Sequence, residues 1–315
     1  MRRAIPGVFL SAVVIAWLAA SGWVLTASAT PAQQAAAPET AGGTYAGTEV
    51  CLTCHTEKAD SLKGTPHGRA SNPRSPLAGQ GCEACHGPGK AHAEAGDATL
   101  IRRFGNGGLA PRASAEVCTA CHVRGTHALW TGSQHEQRNV GCVTCHSVHS
   151  PRGDKQIKAA TQPELCGGCH RQMANKFYRF NHMPVREGKM VCSSCHNPHG
   201  SSNVKLLKAG TTVDQACTSC HAEKRGPYLW EHAPVTNSCV TCHDPHGSNN
   251  ERLLVAKVPF LCQRCHVTAR HPPTVYEGFA LRNTTSANRL IGSGCVVCHV
   301  QIHGSNAPSG KYFHR

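Results

Sequence analysis

The stretch Cys192–Leu207, CSSCHNPHGSSNVKLL, decides how the rest of this 315-residue chain is read. It opens on two cysteines separated by two residues, with His196 directly after the second. A further histidine, His199, sits inside a Pro-His-Gly word, and the apolar pair Leu206-Leu207 closes the stretch. Outward in both directions C-x-x-C-H recurs until there are ten copies, which together use all 20 cysteines. The cysteine pairs are Cys51/Cys54, Cys82/Cys85, Cys118/Cys121, Cys142/Cys145, Cys166/Cys169, Cys192/Cys195, Cys217/Cys220, Cys239/Cys242, Cys262/Cys265 and Cys295/Cys298. The histidines that close them are His55, His86, His122, His146, His170, His196, His221, His243, His266 and His299. Two thiols at this spacing reach the two vinyl groups of one porphyrin, and the adjoining imidazole is then held beneath the iron. The pattern is that of covalent c-type haem attachment. A disulfide framework or paired zinc sites would account for the cysteines. Neither accounts for a histidine after the second cysteine in every copy.

Intervals between successive motif starts are 31, 36, 24, 24, 26, 25, 22, 23 and 33 residues, a repeat of roughly 25 with insertions near both ends. A pairwise unit is visible within it. The second motif of a pair carries another histidine close behind: His92, His149, His199, His246 and His303. The first motif carries one further on, at His67, His135, His182 and His232; His271 is the exception, five residues after His266. These ten histidines make one distal iron ligand per haem and leave His127 and His314 over from the total of 22. His127 competes with His135, because it shares the five-residue offset of His271. Methionine is the usual rival ligand, but Met173, Met183 and Met190 are too few and too irregularly placed. A histidine three residues beyond the proximal one can hardly cross to the other face of the same porphyrin. It is expected to serve a neighbouring haem and so to stitch the repeats together; which one it serves stays open.

The chain carries little of its own to fold around. Aromatic residues are 5% of it, and Phe9, Trp17 and Trp23 among them lie in an N-terminal apolar run. Such a sequence cannot bury enough surface to offset its ordering entropy unaided. The expected fold is therefore that of a multihaem c-type cytochrome: mostly irregular, with short α-helices, an elongated haem-packed repeat and little or no β-structure. Residues 1–29 read as a cleaved export signal, with Arg2 and Arg3, an apolar run and Ala27-Ser28-Ala29; an uncleaved anchor is the alternative. Residues 30–50 are a short linker. Residues 51–315 are the ten-haem domain, divided into haem pairs at about 51–117, 118–165, 166–216, 217–261 and 262–315. Short helices are expected over the motifs and over His170 to Phe180, and turns at the Pro-His-Gly words.

The formal charge is +14, or +12 without Arg2 and Arg3. A nucleic-acid partner does not follow from it. A ferric haem with two neutral imidazoles carries +1 at its core and −2 on its propionates, so ten contribute roughly −10. Two imidazoles per iron also leave no open coordination position for substrate. The chain is thus expected to be an electron-transfer protein rather than an enzyme, with low-potential, low-spin iron.

Four stretches carry a resemblance as well: CLTCHTEKADSLKGTPHGRA (51–70), GCEACHGPGKAHAEAGD (81–97), CSSCHNPHGSSNVKLL (192–207) and CTSCHAEKRGPYLWEHAPVTNSCVTCHDPHGS (217–248). They resemble the decahaem cytochromes of the MtrA/DmsE family, over nearly the whole of Cys51 to His303. The resemblance implies an elongated periplasmic wire associated with the outer membrane and inserted into a β-barrel partner. It implies electron exchange with periplasmic or inner-membrane cytochromes on one side, and with an extracellular multihaem cytochrome or a metal donor or acceptor on the other. A freely diffusing periplasmic shuttle is the alternative, and the direction of flow stays open.

Overall fold

In the computed structural model of the chain, residues 43–182, 185–266, 294–308 and 310–314 are described. The expected export signal and His271 lie outside them. The described residues form twelve short α-helices joined by turns and single-turn 3-10 segments, with no β-strand among them. The helices are α1 Thr48–Leu52, α2 Thr56–Lys63, α3 Glu83–His86, α4 Lys90–Ala95, α5 Pro111–Thr119 and α6 Cys142–Cys145. They continue with α7 Gln162–Gly167, α8 Arg171–Lys176, α9 Cys192–Cys195, α10 Val213–Thr218, α11 Ala233–Asn237 and α12 Phe260–Gln263. The helix expected from His170 to Phe180 is real but shorter, ending at Lys176.

Two local designs alternate along the chain. In motifs 3, 5 and 7 the cysteines close a helix that was started ahead of them. Pro111 stands at the start of α5, where its missing N–H costs nothing. The Oγ of Thr161 accepts from Glu164 N at 3.3 Å, and that of Thr212 from Gln215 N at 3.2 Å, capping α7 and α10. Glu164 and Gln215 bond back to the amides of Ala160 and Thr211, at 3.1 and 2.6 Å, so both caps are reciprocal. In motifs 4 and 6 the C-x-x-C is itself a single helical turn, α6 and α9, and in motif 8 a 3-10 turn takes its place. A tight backward turn follows each of these three. It pairs the motif histidine with an apolar residue in isolated antiparallel bridges: His146 with Ile157, His196 with Leu207 and His243 with Leu254.

The segments ahead of His135, His182 and His232, which follow motifs 3, 5 and 7, pack on the turns that follow motifs 6, 8 and 10, three places on. Gly200 (φ 126°) lies directly against the Leu129 carbonyl, and Gly247 (φ 138°) against that of Lys176. Only glycine combines that backbone angle with so close an approach. Beside the second joint, Ser248 N donates to Phe180 O at 2.8 Å. At the third, Trp230 and Ser305 exchange both backbone hydrogen bonds, at 2.8 and 2.9 Å. Apolar burial is meagre: Ala115, Trp130, Ile157, Ala159 and Leu207 are the buried hydrophobic residues among those described. Backbone hydrogen bonds at fixed points, not a side-chain core, hold the path of the chain.

Candidate haem sites

Every motif has the same internal geometry. In each of the ten, the histidine N–H donates to the carbonyl of the first cysteine, four residues back, at 2.8–3.0 Å. One helical turn places thiols three residues apart on the same face, which is what double attachment to one ring needs. None of the thiols is in a disulfide. Burial, with neighbouring thiols adding to it, pushes Cys51, Cys85, Cys145 and Cys195 above the ordinary thiol range. Among the described residues no group of three or more His, Cys, Asp or Glu could hold a bare metal ion.

The thiols of successive motifs also lie near enough to influence one another, in a regular order. First cysteines interact as Cys51 with Cys82, Cys118 with Cys142, Cys166 with Cys192, Cys217 with Cys239, and Cys262 with Cys295. Second cysteines then link one such couple to the next: Cys85 with Cys121, Cys145 with Cys169, Cys195 with Cys220, and Cys242 with Cys265. The ten motifs therefore follow one another in one unbroken row.

Two of the expected attachment residues stand outside these couples. Cys54 and Cys298, the second cysteines of motifs 1 and 10, are exposed, as are Cys121, Cys169, Cys195, Cys220 and Cys265 within the couples, so only their place in the row sets them apart. The group beside Cys54 is its own neighbour, with Thr53 Oγ1 at 3.7 Å from Sγ. The physical reason is the alternation itself. Links between second cysteines run from motif 2 to 3, 4 to 5, 6 to 7 and 8 to 9, so Cys54 and Cys298 fall at the two ends of the row. Sequence spacing treats all ten motifs alike and does not reveal this difference.

Nine motif histidines face a second imidazole at nearly constant distance. Ring centres are 6.2 Å apart for His55 and His92, 6.4 Å for His86 and His149, and 5.9 Å for His122 and His67. The middle pairs are His146 with His199 at 6.0 Å, His170 with His135 at 6.2 Å, and His196 with His246 at 6.0 Å. The last are His221 with His182 at 6.0 Å, His243 with His303 at 6.2 Å, and His266 with His232 at 6.1 Å. Metal–imidazole bonds are about 2 Å long and a ring nitrogen lies about 1.1 Å from its ring centre, so two imidazoles sharing one metal stand about 6.2 Å apart. The nine pairs fit that requirement. The two leftover histidines do not: His127 is 5.4 Å from His122 and 4.3 Å from His199, and His314 is 4.4 Å from His299. The residues brought together are distant in sequence, and the rule is simple. Motifs 3, 5, 7 and 9 meet the histidine that follows the motif two places earlier. Motifs 2, 4, 6 and 8 meet the one that follows the motif two places later, and motif 1 closes on motif 2.

The chemistry of these imidazoles suits iron. Metal ligation needs the neutral ring, and burial lowers the pKa of His67, His122, His146, His149, His232, His246 and His303. Burial and then the neighbouring His127 bring His199 down to about 4. Where Nδ1 meets a backbone carbonyl, which can accept but not donate, Nδ1 must carry the proton and Nε2 presents its lone pair. This holds at His86 (Arg102 O, 2.8 Å), His146 (Lys155 O, 3.0 Å), His196 (Lys205 O, 2.8 Å), His243 (Arg252 O, 2.8 Å) and His299 (Tyr312 O, 2.6 Å). On the facing side it holds at His92 (Asp97 O, 2.9 Å) and His135 (Pro198 O, 2.8 Å).

Sequence reading passed over one residue here. Glu83, inside the second motif, is 3% exposed, and its carboxylate accepts from the amides of Ala46, Gly47 and Gly89 at 2.8, 2.9 and 2.8 Å. It ties the segment entering motif 1 to motif 2. An acidic residue between the two cysteines of a motif was the available signal, since no other motif has one.

Comparison with known proteins puts the chain among the multihaem c-type cytochromes. The family described as Doubled CXXCH motif matches residues 135–175, 182–226 and 232–271. Cytochrome c554 and c-prime matches 20–87 and 101–147. The chain is 42% identical over 282 residues, 87% of its own length and 84% of the relative's, to multiheme cytochrome MtrA of Shewanella baltica (strain OS185). The chain belongs to the MtrA family of multihaem cytochromes. As a member of the MtrA family it binds haem c covalently through its C-x-x-C-H motifs and is an electron-transfer protein. Its irregular, short-helix architecture is that of the multihaem cytochromes. The three doubled-motif matches in this MtrA-family chain begin on His135, His182 and His232, so each starts on an imidazole that faces another motif.

Proposed function

We propose that the chain carries ten haems, each iron held between two imidazoles, and conducts electrons along the row as the periplasmic, barrel-inserted subunit of an outer-membrane conduit. The observation that carries this is the set of nine imidazole pairs at the spacing of a shared metal. The cysteines of each motif hold the porphyrin, the outermost Cys54 and Cys298 included, and the motif histidine is the proximal ligand. His92, His149, His67, His199, His135, His246, His182, His303 and His232 are the distal ligands of motifs 1 to 9 in that order. For motif 10, His271 completes the alternation, mirroring at this end the closure of motif 1 on His92.

The haem supplies reversible one-electron chemistry at iron. The chain's residues keep both axial positions of that iron filled by neutral nitrogen, so reactants find no place to attach. They also hold neighbouring attachment points side by side, so that no long gap interrupts the row. Ligands drawn from two motifs away cross-link the repeats and keep their spacing fixed during electron passage. The outer-membrane placement rests on family membership; passage through the bilayer itself would carry a physical requirement. Among the described residues no helix is long and apolar enough to cross a membrane, and irregular backbone is tolerated at membrane depth only inside a protein sheath.

Two measurements test the proposal. Intact mass should exceed the chain mass by ten haems, and the ferric protein should be wholly low-spin; a smaller increment, or a high-spin fraction, contradicts the ligand set. Affinity capture from detergent-solubilised outer membranes should retain a β-barrel protein. Recovery of the cytochrome entirely in the soluble periplasmic fraction would favour a diffusing shuttle instead.

A further inference from the structure

Three basic residues stand in the left-handed region, Lys155, Lys205 and Arg252 (φ 54°, 55° and 56°). Each is followed by a second such residue, Gln156, Leu206 and Leu253 (φ 60°, 58° and 61°). Two successive left-handed residues closed by an i to i+3 hydrogen bond make a type I′ turn. The closing bonds are Ile157 N to Asp154 O (3.4 Å), Leu207 N to Val204 O (3.1 Å) and Leu254 N to Glu251 O (3.3 Å). Such turns favour Gly, Asn and Asp, because a larger side chain is crowded there. None of these six residues is one of those. A disfavoured conformation repeated at three equivalent places calls for a reason outside the turn itself.

The reason lies in where the first carbonyl points. In each turn it accepts from Nδ1 of the motif histidine, on His146, His196 and His243. These three imidazoles are half-buried and nearly parallel to their facing rings, with interplanar angles of 21°, 13° and 14°. Motifs 3, 5 and 7 differ in exposure, in ring angle and in having no backbone carbonyl on Nδ1. His122, His170 and His221 are exposed. No backbone carbonyl of the described residues is hydrogen-bonded to their Nδ1, the Glu223 carboxylate standing 3.8 Å from that of His221, and their rings cross the facing rings at 61°, 76° and 67°.

A fixed acceptor on Nδ1 fixes the ring plane and makes the other nitrogen more basic. A more basic axial ligand favours ferric over ferrous iron. Parallel ligand planes direct their π-donation at one iron d-orbital and separate it in energy from its partner, whereas crossed planes leave the two close together. We infer that the left-handed turns at Lys155, Lys205 and Arg252 are potential-setting devices, which hold the haems of motifs 4, 6 and 8 at lower potential than those of motifs 3, 5 and 7. The inference rests on the ligand pairs proposed above. Lys155, Lys205 and Arg252 act through the motif histidines and are positioning residues. Their side-chain charge is not the agent.

The test uses the haem-loaded full-length protein. Lys205→Pro cannot adopt a positive φ, whereas Lys205→Gly keeps the turn and removes the side chain. With ten haems confirmed by mass, Lys205→Pro should raise one of ten potentials by at least a tenfold change in its reduction equilibrium, 59 mV for a one-electron couple. The EPR signal of that haem should move toward larger anisotropy as its ligand plane is freed. Lys205→Gly should leave both unchanged. Ten haems with unmoved potentials in Lys205→Pro, or an equal shift in Lys205→Gly, overturns the inference while leaving the ligand proposal intact. The wild type gives a second test that holds even where Lys205→Pro fails to load. During reductive titration followed by EPR, the large-anisotropy signals should vanish first and rhombic signals last. Large-anisotropy signals that outlast every rhombic one overturn the inference, and a wild-type mass short of ten haems overturns the proposal beneath it.

Discussion

At the scale of single residues, the distinction that matters is between histidines placed to share a metal and histidines that merely lie nearby. His246 is 6.0 Å from His196, whereas His127 is 4.3 Å from His199. Replacing His246 by Ala should therefore open one axial position and convert one haem in ten to a high-spin form that binds cyanide or carbon monoxide. His127→Ala should leave all ten low-spin. EPR and cyanide titration check both; a low-spin spectrum for His246→Ala would remove that residue from the ligand set. The sequence exhibited the candidates but not their partners. His86 and His149 are 63 positions apart and His55 and His92 are 37 apart, and no local pattern says which imidazole crosses to which. Only the folded path decides that. The left-handed Lys205-Leu206 and Arg252-Leu253 were hidden for a different reason. They lack the Gly, Asn or Asp that normally announces a type I′ turn, so tertiary hydrogen bonding overrides local preference there.

At the scale of elements, stability is concentrated in the joints where a Pro-His-Gly turn meets the segment ahead of another motif. At Gly247 a Cβ would collide with the Lys176 carbonyl and come within 3.2 Å of that of Phe180. The same joint holds the Lys176 Nζ–Asp244 Oδ2 ion pair at 2.6 Å, partly shielded from solvent, and places His246 toward His196. Gly247→Ala should destabilise the protein by about 2 kcal/mol or more, since both the clash and the positive φ oppose it. It should also give a partial high-spin signal from motif 6, because its facing ligand is the residue before the glycine. Denaturant unfolding followed at the Soret band measures the first effect, and EPR the second. An alanine variant as stable and as low-spin as the parent would show that the joint tolerates separation. Short helices on the motifs and turns at the Pro-His-Gly words were legible from composition and spacing alone. The joints were not, because a glycine in a turn announces its own flexibility and not the carbonyl it lies against.

For the molecule as a whole, charge follows the redox state. Without Arg2 and Arg3 the formal charge is +12, and ten ferric haems bring it to about +2. Full reduction adds ten electrons, which takes the total to about −8 if no protons follow. Few groups of the chain are available to supply them near neutral pH. Twenty of its 22 histidines are proposed iron ligands and all 20 cysteines are proposed attachment points, which removes the side chains that ordinarily buffer between pH 5 and 9. The oxidised protein should therefore migrate weakly toward the cathode in native electrophoresis at pH 7 and low salt, and the fully reduced protein toward the anode. Low salt matters, because screening at physiological ionic strength shortens the reach of these fields to about 8 Å. A reduced form that still moves toward the cathode would mean that electrons arrive with protons. Proton release or uptake measured during reduction in weakly buffered solution would then match the electron count. Sign reversal has a functional consequence: the electrostatic attraction that brings a donor to the oxidised cytochrome weakens as the row fills, which favours departure of a basic or acidic partner according to the state of the wire.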